Sequence, residues 1–322
     1  MNRAWEVRST ENTPITSSVI VATKNRAKEL STLLMPSLLS QICPPDEIVF
    51  VDQSSDSKTK EAVESFEKQI TGEKPHLLYL HETNPTGAAS ARNSAMNRTK
   101  ADILIFLDDD VILEPDFIKE LLKVYVQHPA VGGVSGVITN YPAPSLFRRI
   151  VRRLFWIGPF NDERQPIYWN ADRLRNHEPF PVRRFGSGVM SVRSSAFAGD
   201  RFDERQRLTA EDVELSWRLS ERHPLLMTPR ARVIHVRTET GRSQVHWLQL
   251  DALSSHYLYR RLWSHEFMNR ICFGWLNIGY ALLATVSSLR RLSLEPWRAT
   301  LKGANLGFEI AKRDCPENRC LR

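Results

Sequence analysis

The most constraining feature of this chain is the rhythm of its first third. Four short apolar or β-branched runs, at 19–21, 47–51, 77–80 and 103–107, are separated by segments whose apolar residues recur at helical spacing. Residues 26–41 carry Leu30, Leu33, Leu34, Leu38 and Leu39. Residues 59–70 carry Ala62, Val63, Phe66 and Ile70, and 88–97 place Ala88, Ala91, Ala95 and Met96 on one face. Strand and helix periods alternating in this way predict an α/β fold, a mostly parallel sheet flanked by helices on both sides. In such sheets ligands bind beyond the carboxyl ends of the strands. The polar clusters of this chain fall at those ends.

Further along, the pattern predicts a helix over 115–127, a Gly-rich strand over 131–139, a strand over 185–192, a helix over 210–221 and a strand over 232–236. Residues 140–181 lack periodicity and read as a long functional insertion. From 243 onward the texture is helical and aromatic. Residues 1–16 are polar and are expected to fray. The division is therefore a flexible N-terminus over 1–16, a catalytic domain over 17–242 and a helical C-terminal region over 243–322. The stretch 271–289 has no charge and is bracketed by Arg270 and Arg290. Its length borders on a membrane span, but Asn277, Thr285, Ser287 and Ser288 make it only moderately apolar. It can lie in a membrane interface, be buried in protein or span.

Composition excludes little beyond fibrous and disordered classes: 42% of the 322 residues are apolar and 25% charged. The four cysteines are scattered without a CxxC pair, which argues against zinc and for reduced thiols in a cytoplasmic setting. The N-terminal residues lack the apolar stretch of a secretory signal. A net charge of +7 leaves nucleic acid, an anionic membrane surface or a phosphorylated ligand as partners.

The strongest chemical signal is Phe106-Leu107-Asp108-Asp109-Asp110. Three adjacent carboxylates at the end of an apolar strand repel one another unless a cation or N–H donors compensate. Alternate residues of an extended chain point the same way. Asp108 and Asp110 can therefore share a site, suited to Mg²⁺ or Mn²⁺ that also takes phosphate oxygens. A solvated acidic turn is the simpler alternative. Asp52, at the tip of its own run, can accept the imide N–H of a uracil or thymine ring, or can be a turn residue. Asp56 can do similar work or cap the next helix. Gly87 and Arg92 open a helix whose N-terminus favours anions, although its small residues also suit close packing on the sheet. Glu211 and Asp212 open another helix. The macrodipole accounts for acids there, and a general base for a hydroxyl nucleophile is the functional alternative. His235, a lone strand histidine, is either structural or a third metal ligand.

Taken in order, SVIVATKNRAKEL, EIVFVDQSSD, NPTGAASARN, FLDDDV, FGSGVMSVRSSAF, AEDVELSWRL and VIHV resemble the family-2 glycosyltransferases of the GT-A fold over roughly residues 16–240. The resemblance implies a Rossmann-like nucleotide-sugar domain, a divalent metal, and inversion at the anomeric carbon. It implies that Thr23 and Arg26 flank the nucleotide, that Asp52 holds the base, and that Asp108 and Asp110 place the ribose and the metal-bound diphosphate. Gly188 would lie on the acceptor side, Asp212 would be the base with Glu211 near the acceptor, and His235 would complete the metal shell. Gln53 stands where many relatives have a small or acidic residue.

Over 141–184 nine arginines stand against four acids, a net of +5, with Phe147, Phe155, Trp156, Phe160, Tyr168 and Trp169 interleaved. That mixture suits a phosphorylated lipid-linked acceptor or a bilayer surface, or it is a surface loop with a private core. Nucleic acid is not expected, because the carboxylate-rich strand ends repel a phosphate backbone. The expectation is an inverting transferase moving a hexose or rhamnose from a UDP- or dTDP-sugar to a glycan or lipid-linked hydroxyl in polysaccharide synthesis, peripheral on the inner face of the membrane. A nucleotidyltransferase forming a nucleotide sugar would use the same sheet and aspartates, but the loop after the first run, Ala22 to Arg26, lacks glycine. A non-catalytic basic docking protein is the third reading.

Overall fold

The first strand, β1 (Ser17–Thr23), is buried along nearly its whole length, as a strand covered on both faces must be. The computed structural model describes residues 14–71, 75–83, 87–186, 188–205, 210–236 and 244–313. The N-terminal residues 1–13, Asn84 to Thr86, Ser187, Cys315 and Cys320, on which parts of the sequence reading fall, lie outside the described residues.

After β1 come α1 (Ala27–Glu29), a π-helical turn (Leu30–Leu34) and α2 (Met35–Leu39), then β2 (Glu47–Asp52), α3 (Lys58–Gln69), β3 (His76–His81), α4 (Ala88–Met96) and β4 (Ile103–Leu107). The predicted alternation is present. Then follow β5 (Val111–Leu113), α5 (Phe117–Gln127), β6 (Gly133–Ile138), α6 (Leu146–Phe155), α7 (Gln165–Trp169), β7 (Phe180–Pro181), β8 (Val189–Arg193), α8 (Glu211–Ser220) and β9 (Leu225–His235). The described chain closes with α9 (Gln244–Leu258), α10 (Phe267–Arg291) and α11 (Glu295–Lys312).

The sheet order is β3-β2-β1-β4-β8-β6-β9-β5, with β7 on β9. Strands β3, β2, β1 and β4 are parallel, whereas β8 is antiparallel to both β4 and β6, and β5 is antiparallel to β9. The parallel half is thus the part read from the rhythm of the first third. The mixed half brings β8 and β9 back beside the tip of β4, which no local pattern encodes.

Two readings need correction. The insertion does have periodicity: LFRRIVRRLF is α6, with Ser145 accepting from the Arg148 N–H as its N-cap. Its apolar pairs at 146/147, 150/151 and 154/155 serve two faces, one buried and one exposed, so no single stripe stands out. The last strand is longer than predicted, because Pro229 and the arginines that interrupt its apolar run are accommodated by an irregular register against β6.

A second apolar cluster joins Phe160 of the insertion, Trp217 of α8, Tyr257 of α9 and Trp263, Leu276 and Tyr280 of the C-terminal region. The long apolar helix α10 buries Cys272, Leu276, Tyr280 and Leu283 on one side and exposes the other. Helices α9 and α11 approach so closely that a Cβ at Gly303 would stand 2.1 Å from the Gln249 carbonyl oxygen, and one at Gly307 2.4 Å from that of Leu253. Cys43 and Cys272 are both buried, and neither is in a disulfide.

Candidate active site

Three strand ends and two loops meet at the tip of β4. Beyond Leu107 the chain turns sharply, and the three aspartates diverge. Asp109 turns towards β1, where it accepts the Thr23 hydroxyl at 2.7 Å and faces Arg26 at 3.3 Å. Burial pushes its carboxyl up to about 7, against the pull of Arg26 and the Thr23 hydrogen bond. Asp110 lies between Arg26, at 2.7 Å, and His235, whose Nε2 is 2.9 Å from Oδ1. Burial works upward on Asp110 as well, but the hydrogen bonds and charges of His235 and Arg26 outweigh it and hold this carboxyl below its usual range.

Asp108 points to the opposite side from Asp109. Arg92, buried under the start of α4, reaches Asp108 at 3.3 Å and Glu211 at 2.7 Å. Burial raises the Asp108 carboxyl despite Arg92 and His235. Gly188 sits against it, and a Cβ there would be 2.8 Å from Asp108 Oδ2. A side chain at position 188 would have to displace this carboxylate.

His235 ends β9, paired in register with Val111. Asn140 holds its backbone from both directions: its Nδ2 donates to the His235 carbonyl at 2.9 Å, and its Oδ1 accepts the His235 N–H at 3.0 Å. The Val236 N–H donates to the Asp110 carbonyl at 2.9 Å. Asp108, Asp110 and His235 each present a ligand atom, all within 4.8 Å of one another. Two carboxylates and an imidazole around one point fit a hard-to-borderline divalent ion.

A pocket of about 390 Å³ runs from Asp108, Gly188 and His235 past Asp212 into the insertion. Asp212 sits in the first turn of α8, where its Oδ1 accepts the Val213 N–H at 2.7 Å. The turn is set by Ala210, whose left-handed φ of 75° is a strained conformation for alanine. Burial and Glu211 raise the Asp212 carboxyl, outweighing Arg164 and Arg92. The far wall is aromatic and charged. Tyr141 stacks on Tyr168 with centroids 5.2 Å apart, and Trp156 meets Tyr280 edge-on. Arg164 makes a two-point ion pair with Asp162, both contacts at 2.9 Å, and this holds Asp162 far below its usual range despite its burial.

The remaining predicted residues are placed otherwise. Asp52 is fully buried, with its carboxylate accepting the Ser54 N–H at 2.8 Å and the Tyr79 hydroxyl at 2.7 Å. Asp56 is a surface residue that accepts the Lys58 N–H and faces its ammonium at 3.5 Å. Glu211 turns to Arg92 and does not line the pocket. Gly87 caps α4 with φ 114°, a conformation open to glycine. Sequence reasoning missed Asn140, Arg164 and Tyr168. Asn140 carried a weak signal, as an Asn directly after a strand. Arg164 and Tyr168 were visible only as members of a basic, aromatic stretch.

A model described as glycosyl transferase family 2 matches residues 18–197, more than half of the chain. The chain belongs to glycosyl transferase family 2. Among similar proteins, a validoxylamine A glucosyltransferase of Streptomyces hygroscopicus subsp. limoneus is 24% identical over 94% of this chain and 68% of its own length. The O-antigen biosynthesis protein RfbC of Myxococcus xanthus is 26% identical over 73% of this chain, which spans only 19% of that protein. A mannosyltransferase from Pyrobaculum calidifontis, solved with GDP-Man and Mn²⁺, superposes with a TM-score of 0.57 at 19% identity, over 96% of this chain and 89% of that one. This likeness shows the GT-A fold. Membership in the family-2 glycosyltransferases sets aside both the nucleotidyltransferase and the non-catalytic readings.

Proposed function

We propose that this protein is an inverting, metal-dependent glycosyltransferase using a UDP- or dTDP-hexose or rhamnose, with a glycan or lipid-linked hydroxyl as acceptor. The observation that carries the reading is the shared pocket: the Asp108 and His235 end and the Asp212 end open into one space. Asp108, Asp110 and His235 would hold Mg²⁺ or Mn²⁺. Bound there, the ion would supply positive charge to a departing diphosphate.

The protein's own groups account for the rest. Arg26 and Arg92 already neutralise the aspartates and keep two guanidinium groups beside the diphosphate position. Asp212 takes the proton of the acceptor hydroxyl as the oxygen attacks the anomeric carbon from the face opposite the leaving group. Its upward shift suits a base, because a more basic carboxylate accepts a proton more readily. Glu211 and Asp162, tied to Arg92 and Arg164, act instead as orienting partners. One base and one leaving-group site serve transfer, whereas hydrolysis needs two carboxylates flanking the bond.

Asp52 would hold a uracil or thymine base through the second lone pair of its carboxylate oxygens, once the Ser54 and Tyr79 contacts that now bury it shift to admit the ring. Thermal shifts with UDP, dTDP and GDP, each with and without Mn²⁺, test this reading. Metal-dependent stabilisation by UDP or dTDP supports it, and a response to GDP alone removes the base assignment. No response to any diphosphate overturns the donor site.

A further inference from the structure

Helices α6 and α10 pack against each other, and each leaves an apolar stripe in solvent. On α6 the exposed stripe is Leu146, Ile150 and Leu154, one turn apart. On α10 it runs through Phe267, Ile271, Trp275, Ile278 and Leu282 and on to Leu289. The stripes meet. Trp275 donates its indole N–H to the Leu154 carbonyl at 2.8 Å and stacks on Phe155 with centroids 5.0 Å apart. At that crossing Leu154 is 57% and Trp275 43% exposed, so the two surfaces are continuous. From Phe267 to Leu289, α10 alone presents a stripe about 33 Å long.

Within the two helices the charge has one sign. Helix α6 carries Arg148, Arg149, Arg152 and Arg153, and α10 carries Arg270, Arg290 and Arg291, while neither holds an acid. Long apolar stripes with a tryptophan at the solvent face and arginines at their flanks match the boundary between headgroups and acyl chains. Spanning is a poorer fit, because the opposite side of α10 is committed to the protein through Cys272, Leu276, Tyr280 and Leu283.

We propose that the joined faces of α6 and α10 dock this protein on an anionic lipid bilayer, lying in its surface without crossing it. Arg152 and Trp156, at the end of α6, line the pocket that holds Asp212. Docking therefore brings the bilayer to within about one helix diameter, roughly 10 Å, of the acceptor side. An acceptor anchored in lipid reaches Asp212 without leaving the membrane. The docking itself does not depend on the transfer reading and is measured without it.

The test is co-sedimentation of the full chain with vesicles of phosphatidylcholine alone or mixed with phosphatidylglycerol. Binding to the mixed vesicles, weakened by salt, is expected. The triple variant Arg153→Gln, Arg290→Gln, Arg291→Gln should lose roughly fivefold per arginine, about a hundredfold in total. Leu154→Glu with Ile278→Glu should abolish binding with unchanged circular dichroism and melting temperature. Wild-type protein that binds neither vesicle, or both equally, overturns the proposal. So does a wild-type dimer that ignores vesicles and is dispersed by Ile278→Glu, since a second copy would then be the occupant.

Discussion

His235 Nε2 stands 2.9 Å from Asp110 Oδ1, although 125 residues separate them in sequence. The pairing of β5 with β9 creates this contact, and Asn140 clamps the histidine backbone that carries it. Replacing His235 by Ala removes one of the three proposed metal donors and leaves Asp110 its Arg26 partner. The concentration of Mn²⁺ needed for nucleotide-dependent stabilisation should rise about tenfold or more. Calorimetric titration of Mn²⁺ with UDP present checks it. Unchanged metal affinity would take His235 out of the donor set.

Asp212 and Glu211 are neighbours with different partners, and only Asp212 lines the pocket. Asp212→Asn keeps the volume and removes the carboxylate proposed as the base. Turnover is expected to fall about 10²- to 10⁴-fold, with nucleotide-induced thermal shifts preserved. A variant that retains turnover cannot have lost its base, and another group would have to be sought.

Gly188 faces Asp108, and the 2.8 Å approach of an added Cβ to Oδ2 cannot be relieved without moving the carboxylate or the loop. Displacing a positioning group by about 1 Å can cost 10²-fold in rate. Gly188→Ala should therefore depress kcat by that order and weaken Mn²⁺ binding. Full activity in this variant would show that the loop moves away freely.

Helix α11 reaches α9 through Gly303 and Gly307, where an added Cβ meets a backbone carbonyl rather than a flexible side chain. Gly303→Ala should destabilise by about 2 kcal/mol, lowering the melting temperature of a chain this long by about 3 °C. An unaltered melting curve would mean that the two helices separate without penalty.

At Asp203, burial alone would raise the carboxyl, but hydrogen bonds from Arg205 and Tyr257 outweigh it and hold the group below its usual range. A carboxyl depressed in the folded state contributes stability above its unfolded value of about 3.9. That contribution is lost as pH falls through the folded value. Asp203→Asn should melt below wild type by a constant margin from neutral pH down to about pH 5, and the gap should narrow below pH 4. A gap that does not change with pH would assign the effect to packing.

The legible parts of the molecule are those encoded over short spans. Val19 to Val21 and Ile103 to Leu107 announce buried parallel strands because a strand covered on both faces has no polar side to show. Asp108 and Asp110 do come together, but through the turn that follows Leu107 and not through the alternation of an extended chain that the sequence suggests. Asp52 shows the limit of such reading: its place at a strand tip was readable, but its hydrogen bond from Tyr79 was not. In α6, apolar residues of the buried and exposed faces sit next to each other, so one helix looked like an aperiodic loop.

By itself, the sequence determined the strand and helix series, the carboxylates at the strand ends and the family to which the chain belongs, because each rests on neighbouring residues or on motifs in order. Tertiary structure alone decided that Arg92 joins Asp108 to Glu211 across 119 residues, that Arg164 of the insertion faces the Asp212 pocket, and that α10 turns one side to protein and the other to solvent. The reason is physical. A buried ion pair or a shared pocket is a balance between desolvation and contacts from distant segments, and no local pattern of residues records which segments will meet.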